Sequence, residues 1–374
     1  MINRLYDFND YLNKGKVLIL YGPRRAGKTT LLKQFLKKTK MKYKVVSGDN
    51  IRIQQLLSSG NFEQILDFAE GYDLIAIDEA QQIRNIGNGL KILVDNLPEM
   101  QIIATGSFSF ELAQQVGEPL TGRKKTLILF PFSQNELLNQ NNKFELKEAL
   151  EQYLIYGSYP EVIKTKSIQE KKEILTELVE SYLLKDILTL ERIKGTKQLL
   201  YLLKLLAFQA GSEVSIHELA TQVKLDTKTV ERYLDLLEKS FVIYSVGGFS
   251  RNLRKEITAK SKYYFYDNGV RNGIILNYNI FDLRDDIGKL FENFIVTERI
   301  KRNHYNREFV NYYFWRTYDK QEIDLIEERD GKIFSYEIKF DPIKKIKPPK
   351  VFTETYPEST FKLISKDNYL DFVL

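Results

Sequence analysis

Cysteine is absent from this chain, and histidine occurs only twice, as His217 and His304. The first absence excludes disulfides, iron–sulfur clusters and thiolate zinc sites. Two isolated histidines make a histidine-rich metal site or a His-dependent triad a poor expectation, and His217 lies in Ser215-Ile216-His217-Glu218, a capping-box pattern whose default role is structural. No apolar stretch approaches the ~20 residues of a membrane span, and the N-terminus lacks a signal-peptide core. The expectation is a soluble, cytoplasmic protein with no membrane partner. A formal charge of +6 is mild for 374 residues, so the chain as a whole is no obvious polyanion binder. Two local basic stretches, 251–262 and 344–350, either meet phosphates or form solvated lysine-rich faces. The metal chemistry left open is magnesium held by carboxylates.

What is present begins near the N-terminus. The apolar run Val17-Leu18-Ile19-Leu20 is followed by Tyr21-Gly22-Pro23-Arg24-Arg25-Ala26-Gly27-Lys28-Thr29-Thr30 and then Leu31-Leu32, which reads as strand, phosphate loop and helix start. The spacing Gly22-x4-Gly27-Lys28-Thr29 is that of a Walker A loop, so the chain is expected to bind a nucleoside triphosphate. Backbone N–H groups of residues 22–30 would surround the phosphates, and the helix would present its positive end to them. Lys28 would reach the β- and γ-phosphates, while the Thr29 hydroxyl would ligate Mg²⁺.

Hydrolysis needs a metal-organising acid and a group that orients water. Asp73 to Ala80 reads as a buried parallel strand ending in two acids: Asp78 is expected to hold Mg²⁺ and Glu79 to position or deprotonate the attacking water. A third strand, Gln101 to Ala104, ends in Thr105-Gly106-Ser107. Ser107 is either a γ-phosphate sensor or a polar strand terminus. Arg123, before a strand at 126–130, is either an arginine finger acting on a neighbouring subunit's nucleotide or an ordinary surface arginine.

After Phe130-Pro131-Phe132-Ser133 the alternation of strand and helix stops. Helical periodicity runs from Glu145 to Ala210, broken at Tyr156 to Pro160, and its apolar stripes Tyr182 to Ile187 and Leu199 to Leu206 read as core. From Val214 onward, helix 215–223, a turn through Asp226, helix 227–240 and two β-rich stretches, 241–246 and 262–266, succeed one another as in a winged helix. Lys228, Thr229 and Arg232 would stand near the exposed start of the second helix, and Val230, Tyr233, Leu234 and Leu237 would be buried. The module either touches DNA or serves as protein packing.

The last constellation is Glu322 to Ile326, a turn Arg329-Asp330-Gly331-Lys332, and Ile333 to Phe340: a hairpin. Simple alternation places Ile323 and Leu325 on one face and Asp324 on the other, with Glu337 and Lys339 sharing a face. Asp324, Glu337 and Lys339 can then converge, and helix 286–303 supplies Glu292. Carboxylates for Mg²⁺ at Glu292, Asp324 and Glu337, with Lys339 to position or activate water, suit phosphodiester hydrolysis; a solvated charged hairpin is the plainer reading.

The Glu…Asp…Glu-x-Lys order resembles the PD-(D/E)xK nuclease superfamily. Across nearly the whole chain GPRRAGKTTLL, DLIAIDEAQ, ATGS, LTGR, LFPFSQNEL, YLIYGSYPEVI, YLLKDI, YYFYDNGV, GKLFENFIVTE and WRT…EIDLIEE…YEIK resemble the prokaryotic AAA+ ATPases that carry a C-terminal domain of unknown function, DUF4143. Asn268 departs from that pattern, where Thr or Pro is commoner. The resemblance implies an α/β chain with a P-loop AAA+ parallel-sheet domain (1–133), a helical lid or connector (134–196), a winged helix (197–266) and a restriction-endonuclease-like domain (267–374). The functional expectation is a Mg²⁺-dependent ATPase whose nucleotide state controls DNA engagement, in its stronger form with cleavage. A non-cleaving DNA-binding regulator and a signalling ATPase that recognises a protein partner are the alternatives, and a homo-oligomer would give Arg123 its finger role.

Overall fold

The computed structural model describes residues 2–107, 119–180, 196–250, 260–317, 319–342 and 346–374. The stripe 182–187, residues 251–259 of the first basic stretch and residues 344–345 of the second lie outside them. The chain separates into two compact units, Arg4–Pro131 with Lys239–Phe241, and Met1–Asn3 with Phe132–Glu238 and Val242–Leu374. Among the described residues no helix is long and apolar enough to cross a membrane.

The first unit is an α/β fold. Its strands are β1 (Val17–Tyr21), β2 (Tyr43–Ser47), β3 (Leu74–Asp78), β4 (Gln101–Gly106) and β5 (Lys124–Ile128), in the order β2-β3-β4-β1-β5. Every neighbouring pair is parallel. Strands β1, β3 and β4 are almost wholly buried, as their unbroken apolar runs require; β2 and β5 are the half-exposed edges. Parallel pairing has a direct consequence. Tyr21, Ser47, Asp78, Gly106 and Ile128 all end on one edge of the sheet, the edge where the loops that hold ligands emerge.

In the second unit, helices Leu150–Tyr156, Thr196–Phe208, Ile216–Val223 and Thr227–Lys239 surround one apolar core. Asp226 caps the last of these, accepting from the Thr229 N–H at 2.9 Å and the Thr229 hydroxyl at 2.6 Å. As expected, Val230, Tyr233, Leu234 and Leu237 are buried, while Lys228 and Arg232 are exposed. Strand β6 (Glu213–Val214) precedes the helix Ile216–Val223, and β7 (Ile243–Gly248) and β8 (Ser261–Phe265) follow the last helix, with β8 antiparallel to both others.

The sheet does not stop there. Strand β7 pairs parallel with β9 (Asn311–Arg316) through Gly247 and Gly248, and β10 (Glu322–Arg329), β11 (Lys332–Ile338) and β12 (Thr360–Ile364) complete seven strands in the order β12-β11-β10-β9-β7-β8-β6. The long helix Ile287–Tyr305 packs Phe291, Phe294 and Ile295 onto one face, against Leu325, Tyr336 and Ile338. Leu199, Leu202, Leu203 and Leu206 are core residues as read from the sequence.

One expectation fails in this sheet. Ile323 and Leu325 do not share a face: Ile323 packs with Ile326, Trp315 and Phe352, whereas Leu325 packs with Phe291. The cause is a register shift between Ile323 and Ile326 in the pairing of β10 with β9. A bulge breaks the two-residue period and re-aims the side chains at its centre, Asp324 among them.

A buried polar network ties the helices of this unit together. Asn268 donates to Leu290 O at 2.9 Å and accepts from Asn293 at 2.7 Å, so the residue that departs from the familiar pattern is hydrogen-bonded on both sides of its amide. Beside it Asp267 is 5% exposed and accepts the N–H groups of Ser158 and Val270. Gly157 is obligatory there, because a Cβ would lie 2.0 Å from the Asp267 carboxylate. Burial raises the Asp267 carboxyl to about 6, against partial relief from the Ser158 N–H. Between about pH 4 and 6 the folded chain keeps a proton that the unfolded chain has lost, so this group's contribution to stability falls as pH rises. Relative to wild type, Asp267→Asn is therefore expected to gain about 2 kcal/mol from pH 4 to pH 7, since each tenfold change in proton affinity is worth about 1.4 kcal/mol. Urea unfolding of both proteins across that range checks it; parallel curves would overturn the assignment.

Candidate functional site

The loop after β1 is shaped by backbone demands that only certain residues meet. Gly22 has φ +151° and a Cβ there would lie 2.0 Å from Leu129 O; Gly27, at φ +99°, opens helix Lys28–Lys38 without a side-chain cap. The first N–H groups of that helix are thus left to an anion. Arg25 is left-handed at φ +58°, and Pro23 and Ala26 are buried. Arg24 and Arg25 are partly exposed, and Thr30 is exposed on the first helical turn. The Lys28 ammonium folds back into the loop, donating to Gly22 O at 2.9 Å and Pro23 O at 2.8 Å. Its burial lowers it to about 8, opposed by Glu79 and Asp78.

Strand β3 delivers the acids. Asp78 Oδ2 accepts the Thr29 hydroxyl at 2.8 Å, and its other oxygen accepts the Thr105 hydroxyl from the end of β4. Glu79 sits at φ +53°, a strained conformation that turns the chain sharply at the strand end. Its carboxylate accepts from Gln81 Nε2 at 2.5 Å and stands 3.5 Å from the Ser107 hydroxyl. Ser107 also presents its N–H to Gln81 Oε1 at 3.4 Å. Thr29, Asp78, Glu79, Ser107 and Lys28 are therefore brought together as the sequence suggested. The donors are all oxygen, the set that suits Mg²⁺ rather than a softer metal.

Arg123 is not brought to them. It immediately precedes β5, whose Lys124 pairs with Val17 at the start of β1, so it lies at the opposite edge of the sheet from the loop. There it is partly exposed and ion-paired with Asp95 at 2.5 Å.

Three contributors were not picked out from the sequence. Arg4 donates to Ala26 O at 2.7 Å and Phe130 O at 2.5 Å, pinning the loop from a distance in sequence that no local pattern reveals. Gln81 and Thr105 were visible, in Asp78-Glu79-Ala80-Gln81 and Thr105-Gly106-Ser107. Both stand within three residues of assigned groups, which is the signal that was available.

The second cluster lies wholly in the second unit. The register Leu325↔Tyr336, carried one residue further, sets Asp324 opposite Glu337. Lys339 bridges them, donating to Asp324 Oδ2 at 3.0 Å and to Glu337 Oε1 at 2.8 Å. The Ile338 N–H adds a 2.8 Å bond to Asp324. Burial and the neighbouring Asp324 charge raise Glu337; Lys339 is raised too, because the pull of both carboxylates outweighs its desolvation.

Glu292 joins the cluster by a different partner. Its carboxylate accepts from the Tyr264 hydroxyl at 2.8 Å and faces Lys262 at 3.4 Å, and burial followed by the Asp324 charge raises it to about 7. Lys262 is 1% exposed and also pairs with Glu322 at 2.5 Å. Lys262 is thus neither solvated nor turned outward, whereas Lys260 beside it is exposed. Among the described residues, no three acids or histidines stand in metal-holding geometry. Asp324 and Glu337 are the two carboxylates the fold joins through one amine, with Glu292 held alongside by Lys262 and Tyr264.

A parallel sheet with a Walker A loop and the adjacent acids Asp78 and Glu79 at its carboxyl edge is the architecture of a P-loop ATPase of the AAA type. The AAA domain model matches residues 14–138 and DUF4143 matches 287–369; a further domain of unknown function, DUF8612, matches 147–279. The chain thus joins an AAA domain to a C-terminal DUF4143 domain. Its relatives include an uncharacterized protein of Methanocaldococcus jannaschii, 23% identical over 90% of this chain and 78% of that protein. Another, from Haemophilus influenzae, is 24% identical over 98% of this chain and 90% of that protein. Among solved structures, replication initiator DnaA bound to AMPPCP and single-stranded DNA aligns with TM-score 0.31 and 18% identity, over 63% of this chain and 86% of that one. A STAND-class signal transduction ATPase from Pyrococcus horikoshii aligns with TM-score 0.28 and 13% identity, over 77% of this chain and 43% of that one.

Proposed function

We propose that this protein is a Mg²⁺-dependent ATPase whose nucleotide state controls engagement of DNA by its C-terminal module, with phosphodiester cleavage at Asp324, Glu337 and Lys339. The observation that carries the reading is the single ammonium of Lys339 shared by Asp324 and Glu337, in a chain that also holds a complete nucleotide loop. In that reading residues 134–196 connect, 197–266 form a winged helix and 267–374 a nuclease-like domain.

At the nucleotide site, Lys28 leaves the Gly22 and Pro23 carbonyls for phosphate oxygens and the loop N–H groups hold the rest of the chain of phosphates. Mg²⁺, held by Thr29 and Asp78, would offset charge on the β- and γ-phosphates. Glu79, fixed by Gln81, accepts a proton from the attacking water, and Ser107 stands beside it to report on the γ-phosphate. Arg123 reaches no phosphate of its own loop, so a finger role requires the edge of one copy to meet the nucleotide of another in a homo-oligomer.

At the second site Lys339 is the solvent-accessible member, 43% exposed on its side chain, and so the group that meets a phosphate. Lys228 and Arg232 on the helix Thr227–Lys239 offer backbone contacts to a duplex. One observation favours a second reading, a regulator that binds without cutting: Lys262 already neutralises Glu292, and the acids do not form a three-carboxylate set.

The test of the coupling is the steady-state ATPase rate with linear, nicked and branched DNA. Stimulation of at least several-fold by one of these is expected. A rate that no DNA alters, together with stimulation by a protein fraction, would point to a protein-sensing ATPase instead.

A further inference from the structure

At the far end of the β10–β11 hairpin from Asp324 lies a cleft of about 430 Å³, a size that accepts a small planar ligand. One lip is the turn that follows the helix Ile287–Tyr305. Arg307 adopts φ +58° there, and the turn is fixed by Arg307 N–H to His304 O at 3.1 Å and Glu308 N–H to Asn303 O at 2.8 Å. A left-handed conformation is unfavourable for arginine and persists only where the surroundings impose it. The next residue but one, Phe309, is 95% exposed, so this rigid turn holds an aromatic ring in water.

The other lip is the hairpin turn. Arg329 lays its guanidinium 4.4 Å over the Phe334 ring, giving the cleft a second planar surface. Charge in the cleft is biased to the positive. Of its two carboxylates, Glu308 is already held by Arg302 at 2.8 Å and Arg329 at 2.5 Å, leaving Asp330 against Arg307 and Lys332. A ring flanked by cations on a pre-formed turn matches what single-stranded nucleic acid presents, a π-face with phosphates on either side. An apolar peptide side chain would cover the ring but bring no anion to a lining of net positive charge.

We propose that this cleft receives a base of single-stranded nucleic acid, stacked on Phe309 with the adjoining phosphates at Arg307 and Lys332. The proposal rests on the DNA-engaging reading above and adds where an unpaired strand lands. The cleft stands five residues along β10 from Asp324, roughly 16 Å at the usual rise per residue, so a strand crossing the hairpin spans both.

The test uses the full-length chain with Phe309→Trp and a fifteen-residue oligothymidylate. Trp315, the native tryptophan, is buried against Phe352 at 5.1 Å and supplies a constant background. Saturable quenching of the new indole is expected. Phe309→Ala should weaken binding about tenfold by fluorescence anisotropy, the scale of one lost base stack. Lys332→Ala should lower the salt dependence of binding by about one counter-ion. Because Phe309 is exposed, neither change at that position threatens the fold. If wild type binds no DNA of any form, the DNA-engaging reading itself fails. If wild type binds single strands but Phe309→Trp is unquenched and Phe309→Ala binds as tightly, the cleft assignment alone is overturned. Quenching by a phenylalanine-bearing acidic peptide and not by the oligonucleotide would make the occupant a protein and likewise overturn it.

Discussion

Lys28→Ala is expected to lower ATP hydrolysis by at least 10²–10³-fold, on the order found when one preorganised charge or donor is removed from a developing anion. The ammonium is the buried cation of the loop, held between Gly22 O and Pro23 O until phosphate oxygens replace them. Alanine leaves those carbonyls facing the β- and γ-phosphates with no intervening charge. Ground-state binding should weaken less than turnover, because the loop N–H groups and the helix end are backbone features that the substitution retains. The helix itself is safe, since alanine is the best helix former and Leu31, Leu32 and Phe35 still anchor it. Phosphate release under saturating Mg²⁺ and ATP, with thermal unfolding as a control, measures the effect. Undiminished release from a folded Lys28→Ala protein would overturn the assignment of this loop as the hydrolytic site.

The nucleotide site was legible because its chemistry is local. Gly22, Gly27, Lys28 and Thr29 lie within eight residues, and each is demanded by something a sequence shows: a φ that only glycine tolerates easily, or a donor at a fixed offset. Asp78 and Glu79 could be read because a buried parallel strand announces its own end. Arg4 could not, since its partners Ala26 and Phe130 are 22 and 126 residues away. The second cluster was legible in membership but not in geometry. Asp324, Glu337 and Lys339 followed from hairpin pairing, and Asp330-Gly331 made the expected tight turn with both residues at positive φ. The bulge at Asp324 was invisible, because nothing in Glu322-Ile323-Asp324-Leu325-Ile326 marks which residue lacks a partner across the sheet. Lys262 was hidden differently. It reads as one more lysine in a basic stretch, and only the pairing of β8 with its neighbours puts it against Glu292 and Glu322.

Asp324→Asn is expected to abolish Mg²⁺-dependent DNA cleavage while leaving the ATPase rate without DNA unchanged. Asp324 sits at the bulge, buried, with one oxygen committed to the Ile338 N–H and Lys339. Asparagine can keep the bond from Ile338 through its carbonyl, so the hairpin is retained, but it removes the charge that Lys339 and a divalent cation both require. Glu337 then holds Lys339 alone. The substitution thus separates charge from shape, which Asp324→Ala does not, because alanine would leave the Ile338 N–H unpaired in a buried strand. Wild type, Asp324→Asn and Lys28→Ala are compared on linear, nicked and branched DNA with Mg²⁺ and ATP, products resolved on denaturing gels. Loss of cutting in Asp324→Asn with retained DNA binding would establish the acid cluster as a cleaving site. Loss in Lys28→Ala as well would place cutting under nucleotide control. Identical products from wild type and Asp324→Asn on every substrate would end the nuclease reading, and the salt bridges of Lys339 and Lys262 would then be the cement of a domain that binds DNA without cutting it.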